Sequence, residues 1–241
     1  MMIFLDGKGM NQMTEIITLQ IPQIVEHQDY NFLSTLISNN RKEQIGRYIY
    51  KEDAYRSLFA ESLVRLVVIK NLAMQNRDIY FERNAYGKPS LQGVENFHFN
   101  ISHAGCWVVL IWGETVVGID IERIREIDFG LANRFFSDVE YSDMMSKQEA
   151  ERLEYFYDLW TLKESYIKAL GTGLSTPLDT FSIRNLGGGN IIMRPERIHC
   201  EFKQYSIDPN YKLSACAFGN RLPNTIQYYH YKSLINEMNN Y

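Results

Sequence analysis

The chain has 241 residues, 45% of them hydrophobic and 22% charged, with a formal net charge of −4. That mix belongs to a soluble globular protein with room for one large domain or two small lobes around a shared core, and it excludes disordered and fibrous classes. The mild acidity gives no general pull toward nucleic acid or an acidic membrane, so any phosphate site has to be a local basic cluster.

The three cysteines, Cys106, Cys200 and Cys216, lack the close pairing of a structural zinc site or a redox motif, and read as small buried hydrophobes in a reducing cytosol. The longest apolar run, 106–112, is far below the roughly 18 residues of a membrane span. Asp6, Lys8 and two glycines interrupt the start before an apolar signal segment forms, so a cytoplasmic location is expected.

In chain order, residues 1–12 read as an extension of mixed polarity. Residues 14–21 alternate as a strand closed by Pro22, and 29–40 place Phe32, Leu33, Leu36 and Ile37 on one side of a helix. Arg41, Lys42, Arg47 and Lys51 follow, on composition alone a solvated basic face. The clearest long helix is 52–75, where Leu58, Phe59, Leu63, Leu66, Val67 and Leu72 form an apolar stripe interrupted by Arg56, Glu61, Arg65 and Lys70. Tyr80 and Phe81 suggest a short strand before the turn Tyr86-Gly87-Lys88-Pro89, in which a lone lysine is by default solvent-exposed. Residues 97–103 alternate as a strand that ends at His103, and 106–112 read as a buried strand that turns at Gly113 and Glu114.

Val116 to Glu122 is rich in β-branched residues, so Asp120 and Glu122, two apart, project to one side of a strand. Adjacent carboxylates in apolar company repel, and a cation relieves them. Further on, Ser137 and Glu140 fit a capping box, and one of Phe135 and Phe136 is assigned to the core. Phe156, Leu159, Trp160, Ile167 and Leu170 recur at helical intervals before the stop signals Gly171 and Gly173, so Glu164 and Lys168, four apart, share a helix face. Gly171-Thr172-Gly173-Leu174-Ser175 lacks the spacing of a phosphate loop and reads as a helix end. Strands of a meander are expected over 180–184, 191–194, 199–205 and 212–218, with Gly187 to Gly189 as a hairpin turn. Residues 227–241 carry no clear pattern, and His27, His199 and His230 show no metal spacing. Oxygen ligands favour a hard ion, so Asp120, Glu122 and Glu164 could together hold Mg²⁺.

Gly118-Ile119-Asp120-Ile121-Glu122 followed by Trp160-Thr161-Leu162-Lys163-Glu164-Ser165-Tyr166-Ile167-Lys168 resembles the paired signature of the 4′-phosphopantetheinyl transferases, and of their Sfp type in particular. The resemblance extends from about residue 13 to about 217 and includes Asn100-Ile101-Ser102-His103. It implies an α+β fold of two similar lobes related by a pseudo-twofold, here 13–117 on the coenzyme A side and 118–241 with the carboxylates and the signature helix, and an active site in the crevice between them.

It further implies Arg41 and Ser57 at the 3′-phosphate and adenine of coenzyme A, with Gln44 standing where a basic residue is usual. Lys88, Ser102, His103 and Lys168 are expected on the phosphates, Mg²⁺ on Asp120, Glu122 and Glu164, and catalysis with Glu164 and Lys168. The serine nucleophile would lose its proton to Glu164 or to a metal-bound water. The carrier protein is expected along 124–154, with one of Phe135 and Phe136 as an anchor. The implied reaction places phosphopantetheine on a serine of an apo peptidyl, acyl or aryl carrier, in nonribosomal peptide or polyketide synthesis such as antibiotic pathways, by a monomeric enzyme. Two rivals are a silent coenzyme A binding protein and a metal-dependent phosphohydrolase.

Overall fold

The computed structural model describes residues 14–130, 132–195, 199–219 and 221–241; the extension expected over 1–12 lies outside them. The architecture is α+β with two lobes. The first comprises β1 (Glu15–Gln20), α1 (His27–Thr35), α2 (Asn39–Gly46), α3 (Lys51–Leu72), β2 (Phe81–Arg83), β3 (Pro89–Leu91), β4 (His98–Ala104) and β5 (Trp107–Gly113). The second comprises β6 (Val117–Arg123), α4 (Ala132–Phe135), α5 (Asp138–Ser146), α6 (Glu149–Leu170), β7 (Ser182–Asn185), β8 (Ile191–Arg194), β9 (Cys200–Tyr205) and β10 (Tyr211–Phe218). The chain then forms β11 (Gln227–His230) and α7 (Tyr231–Met238).

Each lobe is a sheet carrying one long helix. The first sheet has the order β11-β1-β5-β4, the second β6-β10-β9. Leu58, Leu63, Leu66 and Val67 of α3 pack on Leu19 of β1 and Val108 and Leu110 of β5. Leu162, Tyr166 and Ile167 of α6 pack on Phe181, Ile183 and Cys216. A third apolar cluster joins the backs of the sheets, where Ile16, Val109 and Ile111 meet Ile119, Ile121 and Leu213. Because side chains alternate along β6, burying Ile119 and Ile121 between the sheets turns Gly118, Asp120 and Glu122 the other way, toward α6.

Three expectations change. The helix expected over 29–40 is two, because the Ser38 hydroxyl accepts the Arg41 amide and starts α2 afresh. The expected meander divides: β7 and β8 pair only with each other, while β9 and β10 join β6. Residues 227–238, placed by sequence in the second lobe, return to the first, where β11 pairs in parallel with β1 and Leu234 and Met238 enter the α3 core.

The capping box is present and does more than cap. Ser137 Oγ accepts the Glu140 amide and Glu140 Oε2 accepts the Ser137 amide, while Glu140 Oε1 also accepts the Ile183 amide at 2.7 Å. The same carboxylate meets Lys163 Nζ at 2.8 Å, with Lys163 0% and Glu140 1% exposed. Lys163 Nζ spends its remaining donors on the Leu178 and Phe181 carbonyls and lies over the Phe181 ring. Removing one partner of a buried, hydrogen-bonded pair leaves a naked charge. Lys163→Met is therefore expected to cost about 3–5 kcal/mol, read as a fall in the urea midpoint, and Lys163→Met with Glu140→Leu should lose less than the sum of the single changes.

Candidate active site

Where β6 faces α6, three side chains interlock. Lys168 Nζ donates to Asp120 Oδ1 at 2.5 Å and to Ser102 Oγ at 2.8 Å, and the Ser102 hydroxyl donates to Asp120 Oδ1 at 2.9 Å. Asp120 is 2% exposed, and its Oδ2 is buried without a hydrogen-bond partner. An orphaned carboxylate oxygen beside two more carboxylates is a place for positive charge.

Those carboxylates are Glu122, two residues along the strand, and Glu164, one helical turn before Lys168, both half-buried. Desolvation and the Asp120 charge push Glu164 up to about 7. The same two causes, with Glu164 as a smaller one, push Glu122 up to about 7, against which Lys168 and a hydrogen bond from Trp160 pull down. Trp160 is itself stacked on Phe156 and edge-on to Phe135. The donors and the orphaned oxygen fit a hard divalent cation. The expected three-carboxylate set is nevertheless not gathered around one point: among the described residues no group of three or more His, Cys, Asp or Glu side chains is close enough to hold a metal. Lys168 pairs with Asp120 Oδ1.

Two residues of the quoted motifs, given no role of their own in the sequence reading, build this arrangement. The first is Asn100, whose Oδ1 accepts the Ile119 amide at 2.9 Å, while Ser102 Oγ accepts that of Ile121 at 3.3 Å. Side chains of β4 thus satisfy the outer edge of β6 and splice the sheets together. The second is Gly118: a Cβ there would lie 2.0 Å from the Ser165 carbonyl oxygen and 2.5 Å from the Ala169 nitrogen. The missing side chain lets α6 lie directly on β6 and brings Glu164 and Lys168 to the carboxylate strand. The signal available in sequence was the lone glycine within a strand pattern.

Among the described residues, the other expected site residues make no hydrogen bond to the Lys168, Asp120 or Ser102 side chains. His103, exposed at the end of β4, is held below the ordinary histidine value by desolvation first and then by the Arg56 and Lys168 charges. Arg41 donates to Glu61 at 2.9 Å, to Gln44 at 3.2 Å and to Ser57 Oγ at 2.6 Å, so Arg41 and Ser57 are in contact. They lie on the first lobe, where Arg41 and Gln44 line a cavity of about 560 Å³ with Glu61, Tyr80, Arg83 and Pro89. Phe136 is buried and Phe135 half-buried, the latter edge-on to Trp160.

Lys88 is buried more than a turn lysine should be. Its ammonium donates to the carbonyls of Ala169 at 2.8 Å and Val117 at 3.3 Å, bridging the end of α6 to the start of β6, and burial pushes its pKa down to about 8. Below about pH 8 both folded and unfolded chains carry this proton. Between there and the ordinary lysine value of 10.5 only the unfolded chain keeps it, so this group makes stability climb with pH across that window. Lys88→Met should flatten the rise, as read by denaturant melts at pH 7.5, 8.5 and 9.5.

Two family models match the chain. Residues 25–115 match the 4′-phosphopantetheinyl transferase N-terminal family, and residues 116–216 the 4′-phosphopantetheinyl transferase superfamily. The 4′-phosphopantetheinyl transferase Sfp of Bacillus subtilis (strain 168) is 40% identical over 212 residues, which cover 87% of this chain and 94% of that one. The chain belongs to the 4′-phosphopantetheinyl transferase family. Two further members of it are similar. The transferase ffp of Bacillus subtilis is 41% identical over 205 residues (84% of this chain, 92% of that one), and the transferase gsp of Aneurinibacillus migulanus is 37% identical over 213 residues (88% and 89%). In this phosphopantetheinyl transferase the signature lysines divide their work: Lys168 lies at the carboxylates, and Lys163 is sealed in the core behind them.

Proposed function

We propose that this transferase moves the 4′-phosphopantetheine arm of coenzyme A to a serine hydroxyl of an apo carrier protein and releases adenosine 3′,5′-bisphosphate. The observation that carries the reading is the Lys168–Asp120–Ser102 cluster with its orphaned carboxylate oxygen, beside a carboxyl at Glu164 that titrates near neutrality. Such a set can receive a diphosphate and a hydroxyl together.

The bond that forms joins the serine oxygen to the phosphorus bearing the pantetheine arm, and the bond that breaks is the diphosphate bridge to the adenosine bisphosphate. Glu164, whose carboxyl is pushed up to about 7 by desolvation and the Asp120 charge, accepts the serine proton in its ionised form. Lys168 brings its ammonium against the diphosphate oxygens as negative charge moves to the leaving phosphate. The Ser102 hydroxyl, already bonded to Lys168 and Asp120, keeps that ammonium aimed. Asp120 and Glu122, with Glu164 as a third donor, would hold Mg²⁺, which supplies charge neutralisation for the diphosphate when bound; one or two carboxylates plus substrate phosphates suffice for this ion. Arg41 and Ser57 hold the distal adenosine end, and His103 and Lys88 lie toward the phosphates.

The carrier is a peptidyl, acyl or aryl carrier domain of the kind used in nonribosomal peptide or polyketide synthesis. It approaches the side of the second lobe that bears Phe135 and α5. No helix among the described residues is long and apolar enough to cross a membrane, and the enzyme is read as a cytoplasmic monomer.

The deciding measurement is the intact mass of an apo peptidyl carrier protein after incubation with coenzyme A, with Mg²⁺ and then with chelator. The expected result is a gain of one phosphopantetheine that the chelator suppresses and added Mg²⁺ restores. No gain across peptidyl and acyl carriers would defeat the transfer reading, and free phosphopantetheine formed without any carrier would make the protein a hydrolase.

A further inference from the structure

The first-lobe cavity of about 560 Å³ is lined by four arginines, Arg41, Arg65, Arg77 and Arg83, against one carboxylate, Glu61. The arginines are not equivalent. Arg41 and Arg65 both pair with Glu61, at 2.9 and 3.0 Å, and each is locked further: Arg41 by Gln44 and Ser57, Arg65 by Asn76 and the Ile79 carbonyl. Arg77 leans on Asp78 at 4.0 Å with its side chain 79% exposed. Arg83 is exposed at the end of β2, and its guanidinium donates to a neutral acceptor, the Gly87 carbonyl, at 2.7 Å; it makes no ion pair among the described residues. Glu61 is shared by two cations, which leaves positive charge at that pair as well, and Arg83 adds to the cavity a guanidinium with no carboxylate partner among the described residues. Gln44, on the facing helix, adds no charge.

The turn that Arg83 grips is well placed to pass a ligand on. Asn84 Oδ1 accepts the amides of Tyr86 and Lys88, and its Nδ2 donates to the Gly171 carbonyl at the end of α6. A phosphate held by Arg83 is therefore fixed relative to the lobe that carries Glu164 and Lys168. Tyr80, exposed on the cavity rim, offers a flat face for a base.

We propose that Arg83 is a specificity residue for the 3′-phosphate of coenzyme A, supplying the charge that Gln44 lacks. This rests on reading the chain as a coenzyme A-dependent transferase. A phosphate monoester is close to a dianion near pH 7, and guanidinium matches it with paired donors on a fixed fork. Arg83 keeps donors free for that fork while its bond to Gly87 holds the group in place.

The test compares coenzyme A with 3′-dephospho-coenzyme A, which lacks only that monoester, as substrates for the wild type, Arg83→Ala and Arg83→Ala with Gln44→Lys. Binding of adenosine 3′,5′-bisphosphate and of adenosine 5′-monophosphate is measured in parallel by calorimetry. The wild type is expected to prefer coenzyme A, and Arg83→Ala to raise KM for it about tenfold, the worth of a hydrogen bond to a charged group, so that the ratio between the substrates falls toward one. Gln44→Lys should restore part of the ratio, which a merely structural defect would not allow. A ratio unchanged in Arg83→Ala, a wild type without preference, or equal losses on both substrates would overturn the assignment. If the wild type transfers nothing from coenzyme A, the transferase reading fails, and the calorimetry still judges Arg83 by whether the alanine variant loses its preference for the bisphosphate.

Discussion

Gly118→Ala is expected to lower transfer by about 100-fold or more while the chain still folds. The added methyl would stand 2.0 Å from the Ser165 carbonyl oxygen and 3.0 Å from the Ala169 Cα, both helix backbone, so no side chain can swing aside. Either α6 lifts off β6 or the strand retreats, by an ångström or more. Overpacking of this kind costs about 1–3 kcal/mol. The kinetic loss is larger in consequence, because Glu164 and Lys168 ride on the helix that moves while Asp120 and Glu122 stay with the strand, and a misplacement of about 1 Å costs about 100-fold. Parallel denaturant melts and turnover measurements check this. Near-normal turnover would mean that the helix–strand distance does not set the reaction geometry.

Asp120→Asn should be more damaging to turnover and far kinder to stability. The substitution keeps the volume, removes the charge opposite Lys168, and replaces an orphaned carboxylate oxygen with an amide nitrogen. The amide nitrogen is as unpartnered as the oxygen it replaces, so that cost of about 1–3 kcal/mol stays, but the buried charge is gone, and Lys168, 28% exposed, reaches water when its partner is neutralised. The melting temperature is accordingly expected to stay within a few degrees or to rise. Transfer is expected to fall by about 10³-fold or more, the scale of losing a group aimed at transition-state charge, and added Mg²⁺ should not restore it. A variant at once active and unchanged in its response to chelator would remove Asp120 from the site.

The chemistry of this protein was easier to read from its residues than its carpentry was. Strand alternation put Asp120 and Glu122 on one side and helical spacing put Glu164 over Lys168, because both periods are local properties of the backbone. The Ser137–Glu140 box was equally legible, and for the same reason. What stayed hidden depends on partners far away in the chain. Lys163 looks like any helix lysine until Glu140 and the Leu178 and Phe181 carbonyls surround it. Arg65, read as a break in an apolar stripe, is 5% exposed and tied to Glu61, Asn76 and Ile79. Asn100 belonged to a recognisable tetrapeptide, but its role as a splice between sheets appears only when β6 lies beside β4. Residues 227–241 are short and irregular in pattern, and they acquire order by leaning on β1 and α3.

That last attachment governs how the molecule can be taken apart. β1 lies between β5 and β11, so the strand that shields one flank of the first sheet is drawn from the far end of the chain. A fragment ending at residue 117 would bare a row of amides and carbonyls along β1, together with the α3 surface that Leu234 and Met238 cover, and sheet flanks left open in this way invite self-association. Chimeras between relatives therefore have three pieces to match rather than two, since the segment from 227 onward must travel with the opening strand. Inheriting the first lobe means inheriting two separate stretches of chain, with the whole second lobe between them.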